Sequence, residues 1–307
     1  MTHVYRWDLD KTYLATEFDT LRALVRTARE RADEKRNVPG TATLMRELKS
    51  GPDGASNRIY IISGSPRQMR RVLEEKLRLD GVDVDGLTLK PNLANVLRFR
   101  FRALRDQLGY KLPALLESRA VVGPEPLETC FGDDAEVDGV VYRLFSDVCA
   151  RRVEGKALDT MLKGAHVYKD QRERIHQALR GIPEHDPLER VLIHLDTRSP
   201  TRRFLPLGPR VATTFNTFQA ALVLHQDGRL STEGVVHVAG DMVGDYGYTR
   251  LRLDRSLADS VRRGIVTSES AAPVAAALGL APPPSLRMPP PRETRVVYPA
   301  VLRVALA

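Results

Sequence analysis

The chain has 307 residues, 28% charged and 42% hydrophobic, with a formal net charge of +8. That length buries a substantial core in one large or two modest domains, and the balance is that of a soluble globular protein. No apolar run approaches the roughly 20 residues that span a bilayer, residues 1–10 are charged where a signal peptide is apolar, and Cys130 and Cys149 lack metal-ligand spacing, which argues against membrane, secreted and zinc-finger classes and places the chain in the cytoplasm.

In chain order, residues 3–7 read as a short strand running into Asp8. Phe18, Leu21, Leu24, Val25 and Ala28 recur at helical spacing and predict an amphipathic helix. A polar loop at 51–57 leads into Arg58-Ile59-Tyr60-Ile61-Ile62, the continuous apolar run of a buried parallel strand. Pro66 can then open a helix lined by Met69, Val72, Leu73 and Leu77 and ended by Gly81. Residues 87–89 are a third strand, a basic stretch carries Arg98, Arg100, Arg102 and Arg105, and Leu112, Leu115 and Leu116 begin a helix immediately after Lys111. Residues 128–131 form a fourth strand entering an acidic loop, and 190–195 a fifth, with a polar helical insertion between them at about 155–187. Phe215, Phe218, Leu222 and Leu224 predict a helix before Gly228.

Beyond about Ala271 the composition turns Ala-rich, then Pro-rich at 282–284 and 289–291, which reads as a linker or extended arm; residues 294–307 regain alternation and can add an edge strand. Strands alternating with helices predict an α/β fold with a doubly wound, Rossmann-like parallel sheet. The core is expected at 1–240 and a C-terminal extension at 241–307.

In such a sheet, ligands bind at the carboxyl ends of the strands. Three polar segments fall there: Asp8-Leu9-Asp10-Lys11-Thr12, Ser63-Gly64-Ser65-Pro66, and Gly132-Asp133-Asp134-Ala135-Glu136-Val137-Asp138. Alone, each has a plain structural use: a turn or helix cap, a capped helix start, an acidic solvated loop; Lys111 alone is a surface lysine. In this order they suit phosphoryl transfer. A carboxylate nucleophile attacks phosphorus and a second carboxylate serves as acid and base, so Asp8 and Asp10 can share that work. Like charges about 4 Å apart repel by about 4 kcal/mol at an effective dielectric near 20, so cations must join them. Lys111 supplies one, and Mg²⁺ bridging Asp8, the Asp10 carbonyl and Asp133 another, while Ser63 and nearby N–H groups hold the phosphoryl group.

The series resembles the haloacid dehalogenase superfamily of phosphatases. Tyr60-Ile61-Ile62-Ser63-Gly64-Ser65-Pro66-Arg67-Gln68-Met69, Tyr110-Lys111-Leu112-Pro113-Ala114-Leu115-Leu116 and Phe131 to Tyr142 are similar to the catalytic domain of actin-patch-associated phosphatidate phosphatases and their bacterial relatives, over about residues 4–234. The resemblance implies a sheet without a large cap domain, Asp8 as nucleophile and metal ligand, Asp10 as acid/base, Ser63 and Lys111 as phosphate-binding groups with Thr12 and Gly64 beside them, and Asp133, Asp134 and Asp138 around the metal. Lys11, Arg67 and Tyr110 depart from the subfamily pattern, as does the long insertion, and these differences bear on the lipid substrate.

The surplus charge is carried by 38 Arg against 9 Lys. It favours anionic partners, either phosphoesters, nucleic acid or an acidic membrane surface, and arginine suits bidentate phosphate recognition, although base composition gives the same bias. The expected function is therefore a Mg²⁺-dependent phosphomonoesterase with an aspartyl-phosphate intermediate, acting on phosphatidic acid or another bulky phosphoester. A nucleic-acid end phosphatase is the enzymatic alternative, distinguished by salt-dependent oligonucleotide binding. A noncatalytic module presenting its Pro-rich arm to a partner is the other, distinguished by the absence of metal binding and turnover.

Overall fold

The computed structural model describes residues 2–15, 31–52, 54, 56–90, 103–135, 137–285 and 296–298. Strands β1 (Val4–Trp7), β2 (Arg58–Pro66), β3 (Gly86–Lys90), β4 (Glu128–Asp133), β5 (Leu188–His194) and β6 (Val211–Thr214) form one sheet in the order β3-β2-β1-β4-β5-β6. Every neighbouring pair is parallel. The helices are α1 (Thr41–Ser50), α2 (Arg70–Leu79), α3 (Ala103–Val122), α4 (Asp138–Cys149), α5 (Gly155–Gly164), α6 (Lys169–Arg180), α7 (Thr217–Gln226), α8 (Thr232–Gly244), α9 (Arg250–Arg262) and α10 (Ser268–Leu278). The expected doubly wound α/β architecture is present.

Alternation along the strands sorts side chains onto two faces. Tyr5, Trp7, Ile59, Ile61, Phe131, Leu192 and Ala212 pack with α1, α2 and α7 to α10. Ile62, Cys130, Val191 and Ile193 pack with α3 to α6. Both faces are covered, which is why β2 and β5 read as continuous apolar runs rather than as alternating ones. Trp7 opposes Ile61 on one side and Phe131 on the other, and its ring stacks on Phe131 with centroids 3.8 Å apart.

On the second face the one polar intrusion from β1 is Arg6, fully buried. It bonds Ser118 Oγ of α3 at 2.8 Å and the Glu128 carboxylate, which also accepts from Arg119 at 2.9 Å. Glu128 is thus held between two guanidiniums, which offsets a desolvation cost of several kcal/mol per ion.

The chain leaves β1 at the point where the sheet order reverses: β2 and β3 lie to one side, β4 to β6 to the other. The crevice above β1 and β4 is where this fold places ligands.

Several expectations change. Lys111 lies inside α3 rather than before a helix, because the helix continues upstream through residues 103–110. Pro66 belongs to β2, and a 3₁₀ turn at Arg67–Met69 precedes α2. The insertion is the helix pair α5 and α6. Strand β6 was not foreseen. The Ala-rich start of the supposed arm is helix α10, whose Ala271, Val274 and Ala275 are buried. The division at residue 240 falls within α8, and Leu253, Leu257, Val261 and Val274 from beyond it share the core of β1 and β2. The predicted helix near Phe18 to Ala28, Arg98, Arg100 and Arg102, and Pro289 to Pro291 lie outside the described residues, as does most of the C-terminal alternation; within it, residues 296–298 are not a strand. Among the described residues no helix is long and apolar enough to cross a membrane.

Candidate active site

Asp8 is the first residue past β1, its backbone N–H still donating to the Phe131 carbonyl at 2.9 Å. One step beyond Trp7, its side chain belongs by alternation to the α3 and α4 side. There Lys111 Nζ stands 2.9 Å from Asp8 Oδ1 and 2.5 Å from Asp138 Oδ1, with all three side chains no more than 1% exposed. Asp133 closes β4, and its Oδ1 accepts from the Ala135 N–H. Asp138 opens α4, where the positive end of the helix favours a carboxylate, and its Oδ2 accepts from the Asp133 N–H at 3.3 Å. One carboxylate oxygen from each of Asp8, Asp133 and Asp138 lies within 4.8 Å of the others.

Gly132 makes that approach possible. A Cβ there would sit 2.4 Å from Asp138 Oδ2 and 2.5 Å from the Asp138 Cβ. The glycine is needed here for space, since no positive φ is involved.

Asp10 is two residues further out, on a turn stabilised by Lys11 N–H to Leu14 O at 2.8 Å and Leu14 N–H to Leu9 O at 2.8 Å. Its Oδ2 accepts from Ser63 Oγ at 3.2 Å and from Ser65 Oγ at 3.0 Å, so the ends of β1 and β2 meet through it. Ser63 is fully buried and its Oγ also accepts from the Ser65 N–H. Gly64 faces open space: an added Cβ would meet nothing within 4 Å.

Two expected residues stand apart from this group. Asp134 turns to the loop after β5, where its carboxylate accepts from the Thr197 N–H and Oγ1 at 2.8 Å each and the Ser199 N–H at 2.7 Å. Burial alone would raise its pKa, but these bonds outweigh burial and hold it below the ordinary carboxylate value. Thr12 is buried and lines a cavity formed with Trp7, Phe131 and His194, residues of the opposite face or of β5.

Two participants, His194 and Asp196, are absent from the site as the sequence is read, and a third, Tyr110, enters that reading only as a departure from the subfamily pattern. His194, the last residue of β5, places Nδ1 2.8 Å from the Lys11 carbonyl, and Asp196 lies 3.5 Å from Lys11 Nζ, so the end of β5 grips the turn that carries Asp10. The same strand-end rule that singles out Asp8 and Asp133 applies to Arg-Val-Leu-Ile-His-Leu and points at His194. Tyr110 precedes Lys111. Burial chiefly, with the Asp8 charge adding and the Lys111 charge opposing, pushes its phenol well above the ordinary value, and Lys90 Nζ sits 5.7 Å from its ring centre.

Chemically the group combines a hard, all-oxygen donor set with one buried ammonium. Two oxygens on opposite sides of Mg²⁺ at about 2.1 Å are about 4.2 Å apart. Carboxylate oxygens within 4.8 Å of one another could hold a small divalent cation. A cation bound there would add to Lys111 in offsetting the mutual repulsion of these carboxylates. No family model, curated protein or solved structure matches the chain.

Proposed function

We propose that the protein is a metal-dependent phosphomonoesterase of the haloacid dehalogenase type. The observation that carries this reading is the convergence of Asp8, Asp133 and Asp138 on one buried point with Lys111 beside Asp8. These residues come from β1, β4, α4 and α3, elements far apart in sequence, and they meet at the switch point of the sheet. A core built only for stability gains little from three carboxylates there, since each must be desolvated against its neighbours.

Asp8 attacks phosphorus, forming a P–O bond as the bond to the leaving oxygen breaks, and Asp10 delivers its proton to that oxygen. Water then attacks the same phosphorus, gives a proton back to Asp10, and releases phosphate from Asp8. Lys111 neutralises the nucleophile and the phosphoryl oxygens. Asp8, Asp133 and Asp138 with the Asp10 carbonyl would hold Mg²⁺, which supplies Lewis-acid charge neutralisation when bound. Ser63 and Ser65 hold the Asp10 carboxylate at the mouth of β2. Asp134 serves the loop at 197–199 in this scheme rather than the ion.

The substrate class follows from shape and charge. Helices α5 and α6 are the insertion, and they pack beside α3 in the second core rather than forming a separate cap domain. With the net charge of +8 this favours a bulky anionic phosphoester, phosphatidic acid or a phosphorylated nucleic-acid end. The test is hydrolysis of an aryl phosphate with and without Mg²⁺. Wild type is expected to turn over only with the ion and Asp8→Asn to lose activity; full activity in Asp8→Asn rejects the mechanism. Phosphatidic acid vesicles and 5′-phosphorylated oligonucleotides then separate the two substrate classes.

A further inference from the structure

On the face of the sheet away from the carboxylates, two buried polar atoms, Trp7 Nε1 and Thr12 Oγ1, have no hydrogen-bond partner among the described residues. Trp7 is 1% and Thr12 4% exposed. Leaving such a group unpaired costs the desolvation that a hydrogen bond would offset. Both residues line one cavity, with His194, Phe131, Gly132 and Thr214. Its space open to water centres is about 20 Å³. One water needs about 10–15 Å³. The cavity thus suits one or two waters, not an organic ligand.

His194 also lines the cavity. A carbonyl only accepts, so the 2.8 Å contact with Lys11 O places the proton on Nδ1. In the neutral ring Nε2 is then an acceptor. An indole N–H that donates, an imidazole nitrogen that accepts and a hydroxyl that does either are the partners that one water can satisfy together.

The turn these residues adjoin needs external support. Lys11 has φ 58, the left-handed region, which is strained for a residue with a Cβ. His194 holds its carbonyl from one side, and Thr12, the next residue, sits against the cavity.

We propose that this cavity is a hydration site in which one buried water links Trp7 Nε1, Thr12 Oγ1 and His194 Nε2, making Trp7 and His194 positioning residues for the turn that presents Asp10. The hydration site stands on its own; its kinetic consequence rests on the phosphatase reading.

Trp7 is the single tryptophan of the chain, so every indole signal reports on this cavity. A high-resolution crystal structure of the wild type is expected to contain a water within hydrogen-bond distance of Trp7 Nε1 and Thr12 Oγ1. In Thr12→Val that water is lost and the tryptophan emission moves to shorter wavelength, while Thr12→Ser restores both. With an aryl phosphate and Mg²⁺, Thr12→Val and Trp7→Phe are each expected to lower kcat about tenfold with KM little changed, and the double variant to be no worse than either. His194→Asn, which keeps a donor for the Lys11 carbonyl, is expected to retain more activity than His194→Ala. A dry cavity, an emission unmoved in Thr12→Val, or effects that multiply in the double variant would overturn the proposal. If Trp7→Phe does not fold, the density and the Thr12 series decide. A wild type that hydrolyses nothing sinks the phosphatase reading while the density and emission still judge the water.

Discussion

Gly132 and Lys111 are the positions where single atoms decide the site. Alanine at 132 would force the root of the Asp138 side chain to move, and that side chain is fixed by the start of α4. Gly132→Ala is therefore expected to cost about 1–3 kcal/mol in urea unfolding, although it removes no charged group. An unchanged midpoint would mean that α4 yields freely. Lys111→Met keeps the stem and deletes the ammonium, leaving Asp8 and Asp138 without it; about 3–5 kcal/mol is the expected loss, because breaking a buried pair strands its partners. At this scale the sequence was most readable where a polar residue follows an apolar run: Asp8, Ser63 and Asp133 stand so, and Asp138 is found five residues beyond the last of them, at the start of α4. Trp7 escaped because it reads as an apolar core residue, and His194 because the fifth strand, read through residue 195, hides it as an internal position. Only the pairing of β5 with β4 and the turn at Lys11 gives them another role.

Helices and strands were legible where one periodicity ruled a segment, as in β2, β5 and α7. The second half was harder. Ser231, Thr249 and Thr267 each accept a hydrogen bond from the backbone N–H three residues on, capping α8, α9 and α10. Helix α10 buries the small residues Ala271 and Ala275 beside Val274, so its Ala-rich composition alone suggests a linker. Because Leu253, Leu257, Val261 and Val274 close the first core, a chain ending after Gly247 is expected to aggregate or lose its cooperative thermal transition. Cooperative unfolding of that truncation would show the helices to be dispensable.

The sheet's other end makes a pH prediction. His3 ties three strands, its backbone N–H donating to Asn57 Oδ1 and its ring 2.9 Å from Thr129 Oγ1. Burial first, then the Arg229 charge, lowers its pKa to about 3. The unfolded chain takes up this proton near pH 6.5 and the folded one does not, so stability is retained above that pH and lost as pH falls from it toward about 3. The slope is at most about 1.4 kcal/mol per pH unit, and it should flatten in His3→Gln when urea unfolding is compared at about pH 7 and 5.

For the whole molecule, the balance of charge at the crevice links binding to folding. Among the described residues, three carboxylates have oxygens within 4.8 Å of one another, with the Lys111 ammonium beside Asp8 and Asp138, and the mutual repulsion of such carboxylates is strong in a buried site. Each like-charged pair at about 4 Å opposes folding by about 4 kcal/mol at an effective dielectric near 20, before Lys111 compensates. The rest of the fold opposes this repulsion: two cores, one on each face of the sheet, hold β1 and β4 in register. A divalent cation that binds the folded state alone should then stabilise it by about 2.7 kcal/mol at one hundred times its Kd. Asp133→Asn keeps the oxygen that accepts from the Ala135 N–H and removes one charge. It is expected to raise the unfolding midpoint in EDTA above that of wild type and to abolish the Mg²⁺-dependent increase. Calorimetric scans of both proteins, with EDTA and with Mg²⁺, make the comparison. A variant less stable than wild type in EDTA, or equally responsive to Mg²⁺, would mean that Asp133 serves the β4 turn and not an ion.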